Sequence, residues 1–137
     1  MSKCTVPKMM EVFAIDAVQA AQSSHGVELD YSAKSVGALD EILDRAHRTL
    51  RLDDPEDMVF AFPEMWGGYL GEVIRRQWGG QWLVPTDGPL SGQISLAVRG
   101  EVISPPAQVL KRVRDGDMAS LCVYLAELER TFSSRPE

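Results

Sequence analysis

Cysteine and histidine are scarce in this sequence, two of each among 137 residues. Cys4 and Cys122 lie far apart, with no CxxC pair and no Cys/His cluster. A structural zinc site, which needs four ligands at suitable spacing, is therefore not expected, and two isolated thiols read as reduced. Neither His25 nor His47 neighbours a Ser or Cys nucleophile, so no catalytic triad can be assembled from the spacing. The GxSxG elbow and the GxxxxGK[ST] phosphate loop are absent too. No apolar run approaches the roughly 18 residues that a membrane-crossing helix requires. No metal or cofactor is expected.

Positive charge is also in short supply. The chain carries 14 Lys and Arg against 20 Asp and Glu, a formal net charge of −6. Residues 1–57 hold 11 of the acids and 6 of the bases. An acidic surface repels a phosphate backbone, because nucleic-acid affinity comes from basic groups that release counterions. Neither nucleic acid nor membrane is expected as a partner. Acidity suits solubility and a protein partner with a basic surface. The early acids Glu11 and Asp16 do not fit a signal peptide, so the expected compartment is the cytoplasm. Nothing in the composition sets an oligomeric state.

What is present reads as one domain over 1–137, with flexible tails at 1–6 and 133–137. Apolar positions from Met10 to Ala21 predict a helix from Pro7 to about Ser23, ended by Gly26. Ser32 is placed to cap a second helix running to about Leu50, with Val36, Leu39, Leu43 and Ala46 on its buried stripe. Asp53-Asp54-Pro55-Glu56 marks a third helix start, and Pro63 should kink or split that helix near Ala61-Phe62. After Gly80 the period becomes alternating. Strands are predicted near 81–84, 93–98 and 101–104, with a tight turn at Arg99-Gly100 or Gly100-Glu101. A short helix follows Pro105-Pro106, carrying Lys111, Arg112 and Arg114 outward. Asp117 is placed to cap a last helix whose apolar face holds Met118, Leu121, Cys122, Leu125 and Leu128. The expected fold is α+β: about five helices around a three-stranded antiparallel meander.

The stretch from Met65 to Trp82, MWGGYLGEVIRRQWGGQW, holds all three tryptophans and five of the eleven glycines. Each glycine costs a helix interior roughly 1 kcal/mol relative to alanine. Gly67, Gly68 and Gly71 therefore need a compensating reason, and close approach of another backbone supplies one. Glu72 can reach Arg75 at i+3 and Arg76 at i+4. One reading makes the stretch a structural hub, with tryptophans as filler and Glu72 tethered by arginine. The other makes it a site, with Trp66, Tyr69, Glu72, Arg75, Arg76 and Trp82 as candidate binding residues. No catalytic residue is assigned.

The run Tyr69-Leu70-Gly71-Glu72-Val73-Ile74-Arg75-Arg76 with Gly79-Gly80 and Trp82 resembles the YxGEVxR…GGxW pattern of a group of small bacterial proteins. So does Leu29-Asp30-Tyr31-Ser32 with Ser35-Val36 and Leu39-Asp40 upstream. The likeness spans residues 25–130. It implies a helix leading into a short meander, and some such proteins are associated with toxin-immunity systems.

Two more constellations remain. Asp40, Asp44 and His47 share one side of the second helix at i, i+4 and i+7, a spacing that suits either a divalent ion or a solvated face screened by Arg45 and Arg48. Asp53, Asp54, Glu56 and Asp57 suit helix capping and dipole compensation, or else a docking patch for a basic partner. The functional expectation is a non-enzymatic protein-binding module, in its most concrete form an immunity-like protein that neutralises a toxin. The alternative is a small ligand-binding protein or enzyme with a pocket around Glu72, Arg75 and Arg76.

Overall fold

The computed structural model describes residues 5–49 and 62–133. Among these the chain forms five α-helices and a three-stranded antiparallel sheet, the α+β arrangement expected. Helix α1 covers Val6–His25. The Thr5 side chain accepts from the Lys8 N–H at its start, and Gly26 ends it in the left-handed region at φ 62°. Its buried positions are Met10, Ala14, Ala17 and Ala21, while Val12 and Ile15 face solvent. Small side chains on the inner face let α1 lie close to its neighbour.

Helix α2, Ser35–Thr49, starts from a side-chain relay. Asp30 Oδ1 accepts from both the N–H and the hydroxyl of Ser32, and Ser32 Oγ accepts from the Ser35 N–H. This is the capping expected at Ser32. Helix α3 is Pro63–Trp78. Phe62 takes φ 46°, so Pro63 opens the helix, where its missing N–H costs nothing. The helix start expected at Asp53–Glu56 lies outside the described residues.

Strands β1 (Gln81–Leu83), β2 (Ser95–Val98) and β3 (Glu101–Ile103) run in the order β1-β2-β3. Arg99 and Gly100 both have positive φ, 47° and 87°, as a type I′ hairpin requires. Ser104 caps helix α4, Pro105–Asp115. A 3-10 turn over Gly116–Ala119 leads into helix α5, Leu121–Ser133.

This end of the chain departs from the sequence-based expectation. Asp117 does not cap α5; Ser120 opens it, its carbonyl accepting from Tyr124 N–H, while Asp40 of α2 accepts from Leu121 N–H at 2.8 Å. Because the helix starts later and turned, Met118 is 91% exposed and Cys122 is exposed as well. Arg112, expected outward, is buried.

Helix α3 is the centre of the molecule. Nine consecutive residues from Trp66 to Ile74 are buried, on every side of the helix rather than on one broad face. Each of its glycines admits a different neighbour. A β-carbon on Gly67 would lie 2.5 Å from the Pro106 Cα of α4. On Gly68 it would meet the Met10 carbonyl of α1 at 3.1 Å. On Gly71 it would fall inside the Trp82 indole of β1.

Gly71→Ala is therefore expected to lower stability by about 1–3 kcal/mol through the collision with Trp82, outweighing alanine's helical advantage. Gly37→Ala is the control: its β-carbon would meet only Cys122 Sγ at 3.8 Å, an ordinary contact. That variant should hold or raise the urea midpoint. Equal midpoints for the two variants would mean that Trp82 yields freely.

Candidate functional site

The six residues singled out between Met65 and Trp82 do come together, but mostly inside the protein. Trp66, Tyr69, Glu72 and Trp82 are buried, Arg75 is half-buried and Arg76 is exposed. Glu72 Oε2 accepts from the Trp82 indole N–H at 2.8 Å. Arg75 Nη1 donates to both carboxylate oxygens at 3.0 Å, and Arg75 Nε donates to the Gly80 carbonyl at 3.2 Å. The carboxylate thus joins helix α3 to the first strand, and Arg75 joins both to the turn between them. A buried carboxylate is stable only when donors surround it, and here three bonds do so. Arg76, the other expected partner, instead lies over the Tyr31 ring, 3.7 Å from its centroid.

Tyr69 anchors a second relay. Its hydroxyl shares a 2.6 Å hydrogen bond with Ser35 Oγ and accepts from the Tyr31 N–H at 2.7 Å. Burial pushes the Tyr69 phenol above its ordinary value, with the Ser35 bond opposing that rise. Tyr31 itself sits at φ 66°, a conformation that costs a side-chain-bearing residue, and its ring stacks on Tyr69 at 4.9 Å. The strain is held by interior packing against Tyr69. Trp66 meets His25 edge-on at 6.2 Å.

Asp40 and Asp44 do converge on a cation, and it is Arg112. Arg112 Nε donates to Asp40 Oδ1 at 2.8 Å, and its Nη2 donates to Asp40 Oδ2 and Asp44 Oδ1, each at 3.2 Å. The guanidinium is 1% exposed. The Asp40 hydrogen bond leads in holding its pKa above the ordinary arginine value, against burial. His47 turns elsewhere, its Nδ1 2.7 Å from the Val113 carbonyl oxygen. Among the described residues no group of three or more His, Cys, Asp or Glu is placed to hold a metal ion. Lys111 and Arg114 remain exposed, and Arg114 pairs with Asp115, so the basic patch expected on α4 is broken up.

The sequence reading missed a groove on the far side of the sheet. Register places Gln81, Ala97 and Val102 in one row across the three strands. Leu83 lies on the same face, opposite the face that carries the buried Trp82, Leu96 and Val98. The loop after β1 folds back over this outer face. Gly92 N–H reaches the Pro85 carbonyl at 2.9 Å, Ser91 N–H the Gly88 carbonyl at 3.2 Å, and Gln93 N–H the Leu90 carbonyl at 3.0 Å. Between loop and sheet lies an open groove of about 560 Å³ lined by Leu83, Val84, Pro85, Pro89, Leu90 and Val102, with Asp87 its charged residue. The signal was there: two Pro and two Gly in the loop, and an apolar residue on the outer row of an alternating strand.

Two substitutions test the interior assignments. Glu72→Ala should cost about 2–4 kcal/mol, from a stranded buried indole N–H and the lost volume. Glu72→Gln keeps an acceptor for Trp82 and should cost less than half as much. Wild-type urea stability in Glu72→Ala would rule out the tether. Asp40→Ala should cost about 3–5 kcal/mol, because it leaves Arg112 buried beside one fewer carboxylate and removes the acceptor for Leu121 N–H. A loss below about 1 kcal/mol, within the range of exposed pairs, would show that Arg112 relaxes to water.

Comparison of the chain with protein-family models, with curated proteins and with solved structures finds no match.

Proposed function

We propose that this chain is a non-enzymatic protein-binding module, acting in the manner of an immunity protein that occupies a toxin. The observation that carries this reading is the groove on the outer face of the sheet. It is apolar, open to solvent, and walled by a loop whose backbone hydrogen bonds form it in advance of any partner. An exposed apolar groove of this kind suits insertion of a partner's side chains, and a pre-formed wall reduces the ordering cost of binding. The net charge of −6 favours a partner with a basic surface. The immunity-like form rests on the motif resemblance alone. The alternative, a reactive pocket at Glu72, Arg75 and Arg76, gains nothing from a carboxylate already enclosed by three hydrogen bonds.

The test is capture with the tagged full chain from its native lysate, alongside a Val84→Lys variant that places a cation on the groove wall. The wild type should retain one stoichiometric partner, lost with the variant and weakened as salt rises from about 0.05 to 0.5 M. If the partner is toxic, co-expression of the chain should restore growth. Recovery of the bait alone, with partner expression confirmed, would count against a binding role, and capture indifferent to Val84→Lys would remove the groove from it.

A further inference from the structure

We infer that the pocket between helices α4 and α5 binds a small zwitterion of the α-amino-acid class, with the ligand's carboxylate on Lys111 and its ammonium on Glu127. The site stands apart from the groove on the sheet and needs no protein partner. The pocket is open and of about 420 Å³, near the lower end of the roughly 300–1,000 Å³ typical of small-molecule sites. Two helical rows wall it: Gln108 and Lys111, three apart on α4, and Tyr124 and Glu127, three apart on α5. In the interior, polar side chains are engaged, Tyr69 by Ser35 and Tyr31, and Glu72 by Arg75 and Trp82. In this pocket they are not. Among the described residues, the Gln108 amide, the Lys111 ammonium, the Tyr124 hydroxyl and the Glu127 carboxylate have neither a hydrogen-bond nor an ion-pair partner. Tyr124 is the telling one, because its ring packs on the core and a phenol so placed normally finds a partner for its hydroxyl. Burial pushes that phenol up to about 12, so it stays a neutral donor.

Donors and acceptors here suit opposite ends of one ligand. Lys111, Gln108 and Tyr124 offer N–H and O–H groups to an anion, and Glu127 accepts from a cation. Asp117 lies on the same rim, one of its oxygens 3.4 Å from Arg112 Nη2. A dianion such as phosphate would meet two carboxylates, and a simple amine would leave Lys111 unmatched. A molecule with an ammonium and a carboxylate on neighbouring carbons avoids both penalties. Met118 and Val123, both exposed, place apolar surface beside these groups, so the ligand's own side chain is apolar.

The probe is a set of free amino acids with apolar side chains, leucine first, titrated into the full chain and read by NMR at its backbone amides. At least one should give saturable shifts centred on α4 and α5, with a dissociation constant of about 1 mM or tighter. For leucine, isocaproate lacks the ammonium and isoamylamine the carboxylate, and each should bind at least about tenfold more weakly. Glu127→Gln should weaken leucine at least about tenfold and leave isocaproate unchanged, while Lys111→Met should do the same to leucine and leave isoamylamine unchanged. Tyr124→Phe removes the hydroxyl alone. It should weaken leucine at least about threefold while the urea midpoint holds, since that hydroxyl has no bond within the protein to lose. If Tyr124→Phe fails to fold, Glu127→Gln and Lys111→Met decide, both being at exposed helix positions. Isocaproate binding as tightly as leucine would overturn the inference. So would shifts that stay linear to about 10 mM for every amino acid tried, or saturable binding indifferent to both charge variants. Shifts confined to Leu83–Val102 would place the ligand in the groove on the sheet and overturn this site.

Discussion

Everything in this fold is arranged around a helix with no free side from Trp66 to Ile74. A helix surrounded in this way must meet neighbours at less than the usual separation, or carry side chains that fill every gap. Helix α3 does both. Its glycines take Pro106, the backbone of α1 and the Trp82 indole at three separate places, while Trp66, Leu70, Val73 and Ile74 fill what remains. The helical penalty of three glycines, roughly 1 kcal/mol each, is offset by burial at about 25 cal/mol per Å² of apolar surface on three fronts. The alanines on the inner face of α1 answer to the same constraint, since a larger residue there would hold α1 off Gly68.

Such crowding leaves little room for charge, and the two ionic centres show how it is accommodated. Glu72 lies inside because the chain that follows supplies its donors: Arg75 one turn later and the Trp82 indole on the first strand. Local sequence satisfies it. Arg112 is held over a long range, by two carboxylates of α2 that take its Nε and Nη2 while its buried Nη1 has no partner among the described residues, and one of them, Asp40, also accepts from the first N–H of α5. Asp40 thereby fixes α4 and α5 against α2 with one side chain. A buried ion pair is weak as a source of stability and strong as a constraint on geometry, since misplacing either partner leaves a charge without water.

Period and punctuation explain why much of this was legible in the sequence. Alternation after Gly80, the Arg99-Gly100 turn, Gly26 after α1 and the glycines before Trp82 are local signals, and local signals survive without the rest of the fold. Glu72 with Arg75 was legible for the same reason, being three residues apart on a helix. The choice of Arg75 over Arg76 was not, because it depends on Tyr31, some forty positions earlier. Arg112 read as a surface cation because its partners lie about seventy residues away; the i, i+4 aspartates announced a cation without saying that it would be a guanidinium. At α5 the local signal misled. Asp117 is a good capping residue, but Asp40 and Ser120 supply the acceptors one turn later, and Met118 and Cys122 are carried outward with that shift. The loop's Pro and Gly and the apolar residue on the outer row were local signs, but the groove they make could not be read from them, because a loop lying back on a sheet is a tertiary event.

The distribution of aromatics bears on function. All three tryptophans and Tyr69 are spent on the interior or its margin, so the side chains that most often dominate protein interfaces are withheld from the surface. Among the described residues, the large apolar side chains that face water are scattered and mostly aliphatic: Val12 and Ile15 on α1, Phe62 before α3, Met118 before α5 and Val123 on it, Val84 and Val102 at the sheet. Among the described residues, the last pair combines apolar side chains with a concave wall and the edge of the sheet. Isolated exposed aliphatics are ordinary on any protein. An edge strand is different, because its unmet backbone groups attract any extended chain, and proteins usually blunt such edges with charge, proline or a covering element. Here Glu101 and the Pro105 that begins α4 stand on either side of Val102 and shorten the open edge to a single residue's pair of groups. So short an edge cannot bind a strand strongly through its backbone alone. An edge limited in this way resists indiscriminate aggregation.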